Sequence, residues 1–244
     1  MPRREIFYAP AQNFAGDFVT LVDDELHHLA RVLHHKAGDR ITVVDGAGVA
    51  AVDSEIVELT REFARVRILK KVRRYGEAHI HLALAQAVPK GSRFDWVIEK
   101  GTELGVSEFI PILCARGEVE AGENKVERWR RLALAAMKQS CRSFWPIIHA
   151  PITFEALCEQ SREYQLSLIA HEGADEALRR LTEAALPRKA VIAIGPEGGF
   201  TEVELRRAQE SNFYSMSLGP RRLRAETAGL VAVTKLLTTL GQMS

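Results

Sequence analysis

The sequence AVIAIGPEGGF at residues 190–200 decides the fold class of this chain. An apolar run of strand length leads into a glycine-rich loop, and Thr201 and Glu202 then predict the start of a helix. The pattern returns at residues 214–236 with an apolar run, the loop LGPRRLR and a long apolar helix. Two such strand–loop–helix units predict a parallel sheet. Since ligands bind at the carboxyl ends of parallel strands, the two loops together predict one pocket.

The remaining pattern divides into two predicted domains. Residues 75–244 alternate between strands and helices, which predicts an α/β domain with a parallel sheet. Residues 1–74 are mostly short strands with one helix beginning near Asp23, which predicts a small β-barrel domain. The strands expected there are 19–21, 40–44, 49–58 and 63–72. In the α/β domain we expect strands at 79–87, 109–113 and 166–170, and helices at 92–103, 127–141, 151–159 and 175–184.

Composition excludes several classes of protein. The chain has 244 residues, 46% hydrophobic and 27% charged, with a formal net charge of +1. Any contact with nucleic acid must therefore come from local clusters of charge. No apolar run approaches the roughly 20 residues that span a bilayer, and no signal peptide is evident at the N-terminus. These features predict a cytoplasmic protein that does not associate with a membrane.

The cysteines and histidines do not predict a metal centre. Three widely spaced cysteines, at positions 114, 141 and 158, fit a reducing compartment and form neither a disulfide framework nor a zinc pattern. The pairs His27-His28 and His34-His35 lie seven residues apart and could share one helix face. Since no Cys or carboxylate stands beside them at ligand spacing, we expect no metal there.

The two glycine loops limit the classes of ligand that the predicted pocket could bind. GPEGG at residues 195–199 is neither the dinucleotide fingerprint nor a P-loop, and Glu197 would repel phosphates. The loop therefore suits a phosphate-free ligand, unless it is only a tight turn. The second loop contains Arg221, Arg222 and Arg224. These arginines form either a solvated basic turn or a positively charged entrance to the pocket that binds an anionic substrate. The sequence contains no nucleophile elbow and no Cys/His catalytic signature.

Two further groups of arginines are candidates for function. Arg142 follows a predicted helix, where a basic residue is favoured by the helix dipole alone, so its role is open. Arg65 and Arg67 lie in a basic segment and fall on one face of a predicted strand.

Several motifs together resemble the RsmE family, bacterial methyltransferases of the SPOUT superfamily. They are KGSR at 90–93, EKGTELGV at 99–106, QSCR at 139–142, IGPEGGF at 194–200 and LGPRRLRAETA at 218–228. The similarity covers nearly the whole chain. Two positions depart from the family pattern: Cys141 stands where the family usually has Gly, and Ala115 where it often has Glu.

The resemblance implies a specific fold and function. It implies a PUA-like RNA-binding barrel at 1–74 and a SPOUT domain with a deep trefoil knot at 75–244. It also implies a homodimer that uses S-adenosylmethionine to methylate N3 of a uridine in 16S ribosomal RNA. The cofactor-binding residues implied are Leu168, Ile169, Ala170, Gly195, Pro196, Glu197, Gly198, Gly199, Leu218, Gly219, Leu223, Arg224, Thr227 and Ala228.

Uracil N3–H is a weak acid, so the reaction needs a proton acceptor or stabilisation of the developing negative charge. We expect Arg142 and Arg224 to stabilise that charge and Glu226 or Glu197 to position the base or accept its proton. Flanking RNA is expected to contact Arg3, Arg4, Arg65 and Arg67.

Other functions and one structural question stay open. The alternatives are ribose 2′-O-methylation by an enzyme of the same superfamily and a non-catalytic ribosomal RNA-binding assembly factor. A nucleotide-phosphate enzyme is disfavoured by the missing phosphate loop. The long apolar helix after residue 225 is either a dimer contact or a buried core helix.

Overall fold

The computed structural model describes residues 5–117, 122–172 and 186–243. The chain forms two compact units, one of residues 1–77 and 134–145, the other of residues 78–133 and 146–244. The segment 134–145 thus clusters with the first unit although it follows the start of the α/β sequence pattern. The helix predicted at 175–184 lies outside the described residues.

The first unit is built on a seven-stranded sheet with the order β1-β4-β5-β6-β3-β2, in which β7 also pairs with β5. Strand β1 is parallel to β4, and the other pairs are antiparallel. Its strands are β1 (Ile6–Tyr8), β2 (Phe14–Ala15), β3 (Phe18–Leu21), β4 (Arg40–Val44), β5 (Val49–Leu59), β6 (Ala64–Arg67) and β7 (Lys70–Arg73). The short strands β1 and β2 were not predicted.

The strand predicted at 63–72 is in fact two strands. Residues 64–67 pair with the second half of the long strand β5, whereas residues 70–73 pair with its first half. Asp53, in the middle of β5, has a left-handed φ of 52° beside an irregularity in its pairing with β4. Such a bulge bends a strand, so the two halves of β5 can pair with separate strands and the sheet curls.

The prediction that the two histidine pairs could share one helix face is wrong. Helix α1 covers Asp23–His27 and continues as a π-helical turn over His28–Val32. His34 lies beyond this helix with a left-handed φ of 57°. The four histidines therefore do not share a helix face. His35 instead contacts the carboxylates of Glu5 and Asp39 at 3.2 and 3.1 Å.

The second unit contains a seven-stranded sheet with the order β10-β9-β8-β13-β12-β14, to which β11 is added beside β9. Every pair in it is parallel. The predicted α/β class with a parallel sheet is confirmed. The strands are β8 (His81–Ala87), β9 (Glu108–Leu113), β10 (Ile147–Ile148), β11 (Ile152–Thr153), β12 (Leu166–Ala170), β13 (Lys189–Ile194) and β14 (Phe213–Met216).

Helices cover both faces of this sheet, because its strands are apolar on both sides. Alternate residues of β8, such as Ala83 and Ala85, share a core with α4 (Phe154–Gln160) and α5 (Glu202–Glu210). The opposite face, including Leu84, packs on α6 (Ala225–Thr239), which also contacts α2 (Arg93–Leu104). The strongly apolar side of α6 is buried within the chain itself, since Val233, Leu236 and Leu237 are at most 1% exposed.

Helix α3 (Glu123–Gln139) begins in the second unit and ends in the first. In the first unit, its Met137 packs among Ile6, Val44 and Val52. The helix closes with a Schellman motif, in which the N–H groups of Arg142 and Cys141 donate to the carbonyls of Met137 and Lys138 at 3.0 and 3.3 Å.

Cys141 occupies the position in this motif that requires a left-handed backbone, with φ of 59°. Glycine is favoured at such a position because it has no Cβ.

Within the described residues, no helix combines the length and the apolar character needed to span a membrane.

Candidate functional site

The two glycine loops lie at the same edge of the parallel sheet. Strand β12 pairs with β13 on one side and β14 on the other, with Ile169 opposite Ala193 and Ser215. The loops that leave β13 and β14 therefore flank the end of β12. The structure thus brings together three predicted segments, residues 168–170, 195–199 and 218–228, at the carboxyl edge of one sheet.

The first loop is a tight turn against an aromatic ring. The N–H of Gly199 donates to the carbonyl of Pro196 at 2.8 Å, and Gly199 has a left-handed φ of 70°. A Cβ at Gly195 would lie 3.0 Å from the Phe200 ring and 3.3 Å from the backbone nitrogen of Phe200. The backbone of Gly195 therefore approaches Phe200 closely, and this contact closes the turn. Thr201 then begins α5 with a capping box to Glu204.

Arg116 fixes this loop from a neighbouring segment. Its Nη1 donates to the carbonyl of Gly198 at 2.8 Å, and its side chain lies 3.4 Å from where a Cβ of Gly198 would stand. The next residue back, Ala115, donates its backbone N–H to the buried carboxylate of Glu204 at 2.8 Å. Sequence reasoning missed the contact of Arg116, because it joins residues more than 80 positions apart.

The second loop leads into α6. Gly219 adopts a left-handed φ of 96°, and its N–H donates to the Ser217 hydroxyl at 3.3 Å. Lys235, on the following helix, donates to the carbonyl of Ser217 at 2.7 Å. Arg224 is the N-cap residue of α6 and is exposed, and its side chain does not cap the helix. The N–H groups in the first turn of a helix have no acceptor within the helix, so a ligand can bind them.

Arginines connect the two loops. Arg222, in the second loop, donates to the carbonyl of Glu197 at 3.2 Å. Arg93, the first residue of α2, donates from Nη1 to the Glu197 carboxylate at 2.7 Å. Its Nε lies 3.7 Å from the Glu226 carboxylate in the first turn of α6. Arg93 belongs to the KGSR motif, but spacing alone gave no reason to place it between two predicted site residues.

Glu226 and Gln86 are buried polar residues at the site where these arginines meet the two loops. Gln86, fully buried at the end of β8, donates from Nε2 to the carbonyl of Ala225 at 3.1 Å. Its Oε1 lies against Gly229, where an added Cβ would stand only 2.2 Å away. One carboxylate oxygen of Glu226, Oε2, is buried without a hydrogen-bond partner among the described residues. Glu226 thus has an acceptor atom that a substrate proton donor could satisfy.

The structure places Arg142 in the first unit, in a buried ion pair. Arg142 donates from Nε and Nη2 to Oε2 of Glu77 at 3.0 and 2.7 Å, and the two side chains are 2% and 6% exposed. The other oxygen of Glu77 accepts from the backbone N–H groups of Ser143 and Phe144 at 3.0 and 2.7 Å. Contact between this guanidinium and a uracil stays a prediction, and the ion pair supports a structural role instead.

The predicted RNA-binding arginines of β6 lie on one exposed face. Arg65 and Arg67 alternate with buried Ala64 and Val66, so their placement on one face is confirmed. The Arg65 guanidinium stacks 4.2 Å from the centre of the Phe18 ring, and Arg67 pairs with Glu55 at 2.5 Å. Arg3 and Arg4 lie outside the described residues.

Comparison with known proteins decides the family. A model of the RNA methyltransferase domain matches residues 76–237, and a model of the RNA methyltransferase PUA domain matches residues 21–69. The chain is 36% identical to ribosomal RNA small subunit methyltransferase E of Synechocystis, over 89% of this chain and 72% of that protein. It is 30% identical to the Bacillus subtilis protein of the same name, over 97% of this chain and 93% of that one.

The chain belongs to the ribosomal RNA small subunit methyltransferase E family. Its fold agrees with a solved member, the methyltransferase E of Neisseria gonorrhoeae bound to S-adenosylmethionine. The two share 30% identity with a TM-score of 0.79, over 96% of this chain and 97% of that chain.

Proposed function

We propose that this chain transfers the methyl group of S-adenosylmethionine to N3 of a uridine in 16S ribosomal RNA. The observation that carries the proposal is the junction of the loops at 195–200 and 217–224 at the carboxyl edge of the sheet, where Arg222 joins the two loops and Arg93 lies between Glu197 and Glu226. Membership of the methyltransferase E family supplies the reaction class.

The residues at this edge fit S-adenosylmethionine chemically. The ligand carries a sulfonium cation and no phosphate, which is compatible with a loop that has Glu197 at its centre. Gly199 and Gly219 both face open space: beyond their chain neighbours, no described heavy atom lies within 4 Å of where a Cβ would stand. A ligand can therefore approach the backbone closely at both glycines. The contacts with the cofactor are proposed to come from the segments 168–170, 195–199 and 218–228, which end at the same edge of the sheet.

Several residues of the chain have proposed roles in the transfer. The exposed guanidinium of Arg224 stabilises negative charge on the uracil, since charged donors bind such oxygens most strongly. Glu226 accepts the N3 proton or orients the base, and its buried oxygen, which has no partner among the described residues, supports this role. Glu197 acts as a second orienting group at the mouth of the site.

The rest of the family resemblance completes the proposal. Residues 1–74 form a PUA-like barrel that grips flanking RNA, with Arg65 and Arg67 on its exposed face. Residues 75–244 form the SPOUT domain, whose chain passes through a trefoil knot near the cofactor. The protein acts in the cytoplasm as a homodimer, and the half-exposed side chains of α6 are candidates for the contact.

Calorimetry and methyl transfer test this proposal separately. Titration with S-adenosylmethionine should release or absorb heat with one site per chain. A Glu226→Gln variant should bind the cofactor but lose methyl transfer to small ribosomal subunits from a strain that lacks the protein. The absence of cofactor binding under conditions where another methyltransferase binds would favour the non-catalytic assembly factor.

A further inference from the structure

Negative charge that develops on the uracil is stabilised by a cation that can reach it, and the arginines of the chain differ in their freedom to do so. Arg116 is occupied by the Gly198 carbonyl and Arg222 by the Glu197 carbonyl. Arg142 is 2% exposed and held on two of its nitrogens by Glu77. Of the two arginines predicted to stabilise the charge, Arg224 is exposed and Arg142 is buried, so a second exposed guanidinium would have to take the place of Arg142.

Arg93 has the required placement. It begins α2 just after β8, whose end pairs with the end of β13 (Gln86 opposite Ile194). Its side chain is 41% exposed, and it lies between the exposed carboxylate of Glu197 and the buried one of Glu226. A solvent-exposed ion pair contributes little free energy, so substrate can displace Glu197 from Arg93 at little cost.

We propose that Arg93 is a catalytic residue that binds the uracil of the substrate and stabilises the negative charge that develops on it. The proposal rests on the function proposed above. Glu226 takes the proton from N3, the N3–methyl bond forms, and the methyl–sulfur bond breaks with its electron pair passing to sulfur. The planar guanidinium of Arg93 donates to the uracil oxygen beside N3 as that oxygen becomes negative. The Glu226 carboxylate, 3.7 Å from Arg93, lies close enough for both groups to act on one base.

The acidity of the substrate tests this role. Fluorine at C5 of uracil withdraws electrons and makes N3–H more acidic, so RNA with 5-fluorouridine needs less stabilisation from the enzyme. On normal RNA, Arg93→Gln should lower the single-turnover rate by about 10²–10³-fold, as for loss of one charge-stabilising donor. On fluorinated RNA the loss should shrink at least about tenfold, and the Kd for S-adenosylmethionine should stay within about twofold of wild type.

Arg130 provides a matched control. Its side chain is 45% exposed and pairs with Glu127 on α3, so Arg130→Gln should methylate both RNAs at the wild-type rate. Arg93→Lys should recover part of the activity, because it keeps the charge but not the planar fork. If Arg93→Gln lowered the methylation rate by the same factor on both RNAs, or abolished cofactor binding, Arg93 would have only a structural role in holding the loops together. If the wild-type protein methylated neither RNA, the proposed function itself would fail.

Discussion

The ion pair between Glu77 and Arg142 should be essential to the stability of the first unit, and Glu77→Ala tests this directly. The substitution removes the carboxylate that pairs with the buried Arg142 guanidinium, at a cost of about 3–5 kcal/mol. It also removes the acceptor of two backbone N–H groups, those of Ser143 and Phe144, so the lower value is a minimum. In a unit of this size each kcal/mol lowers Tm by about 4–8 °C.

We therefore expect the Tm of the transition that unfolds the first unit to fall by at least about 12 °C, measured by calorimetry. The matched control is Glu127→Ala, which removes an exposed carboxylate (60% exposed) from its pair with Arg130 and should change stability by less than about 0.5 kcal/mol. A Glu77→Ala protein with wild-type Tm would refute the reasoning. An Arg142→Lys protein that kept its Tm but lost methyl transfer would restore Arg142 to the catalytic residues.

Four further substitutions, at three positions, test the packing and the electrostatics of the chain. Gly229→Ala places a Cβ 2.2 Å from Gln86 Oε1 and should destabilise by about 1–3 kcal/mol in denaturant unfolding; an unchanged midpoint would contradict that contact. Cys141→Gly should leave stability within about 1 kcal/mol, whereas Cys141→Val should be destabilised by about 1–2 kcal/mol more, and equal midpoints would argue against the left-handed backbone. Burial opposes ionisation of Glu108, but hydrogen bonding to the neighbouring histidines, His81 among them, outweighs it and holds the Glu108 pKa well below its usual range. The stability that this carboxylate contributes is thus present above about pH 4.3 and is lost as pH falls. The Tm of the Glu108→Gln variant should therefore decrease less steeply below that pH than the wild-type Tm. The same dependence of Tm on pH in both proteins would exclude the effect.

Local signals predicted the framework of the second unit well. The loops after β13 and β14 were expected because each apolar run is followed by Gly, Pro and charged residues. Both loops lie where the sequence places them. The helix expected at 92–103 is α2, which Gly105 ends in a left-handed conformation with φ of 106°. These features depend on residues close in sequence, which is why pattern and spacing were sufficient.

Features that depend on distant partners were not predictable. The burial of Arg142 follows from Glu77, 65 residues earlier, and the role of Arg93 follows from Glu197, 104 residues later. The division of residues 63–72 into two strands depends on which half of β5 each one pairs with. Spacing identifies a helix or a turn, but it does not identify which charge a side chain meets after the chain has folded.

The central claim is tested most directly by identifying the methylated nucleoside. Small ribosomal subunits from a strain that lacks this protein are incubated with the purified chain and S-adenosylmethionine carrying an isotopically labelled methyl group. Mass spectrometry of the digested 16S ribosomal RNA should then show labelled 3-methyluridine, and none should form with the Glu226→Gln variant. Label on a ribose 2′-oxygen, or no labelled nucleoside from a chain that binds the cofactor, would contradict the account.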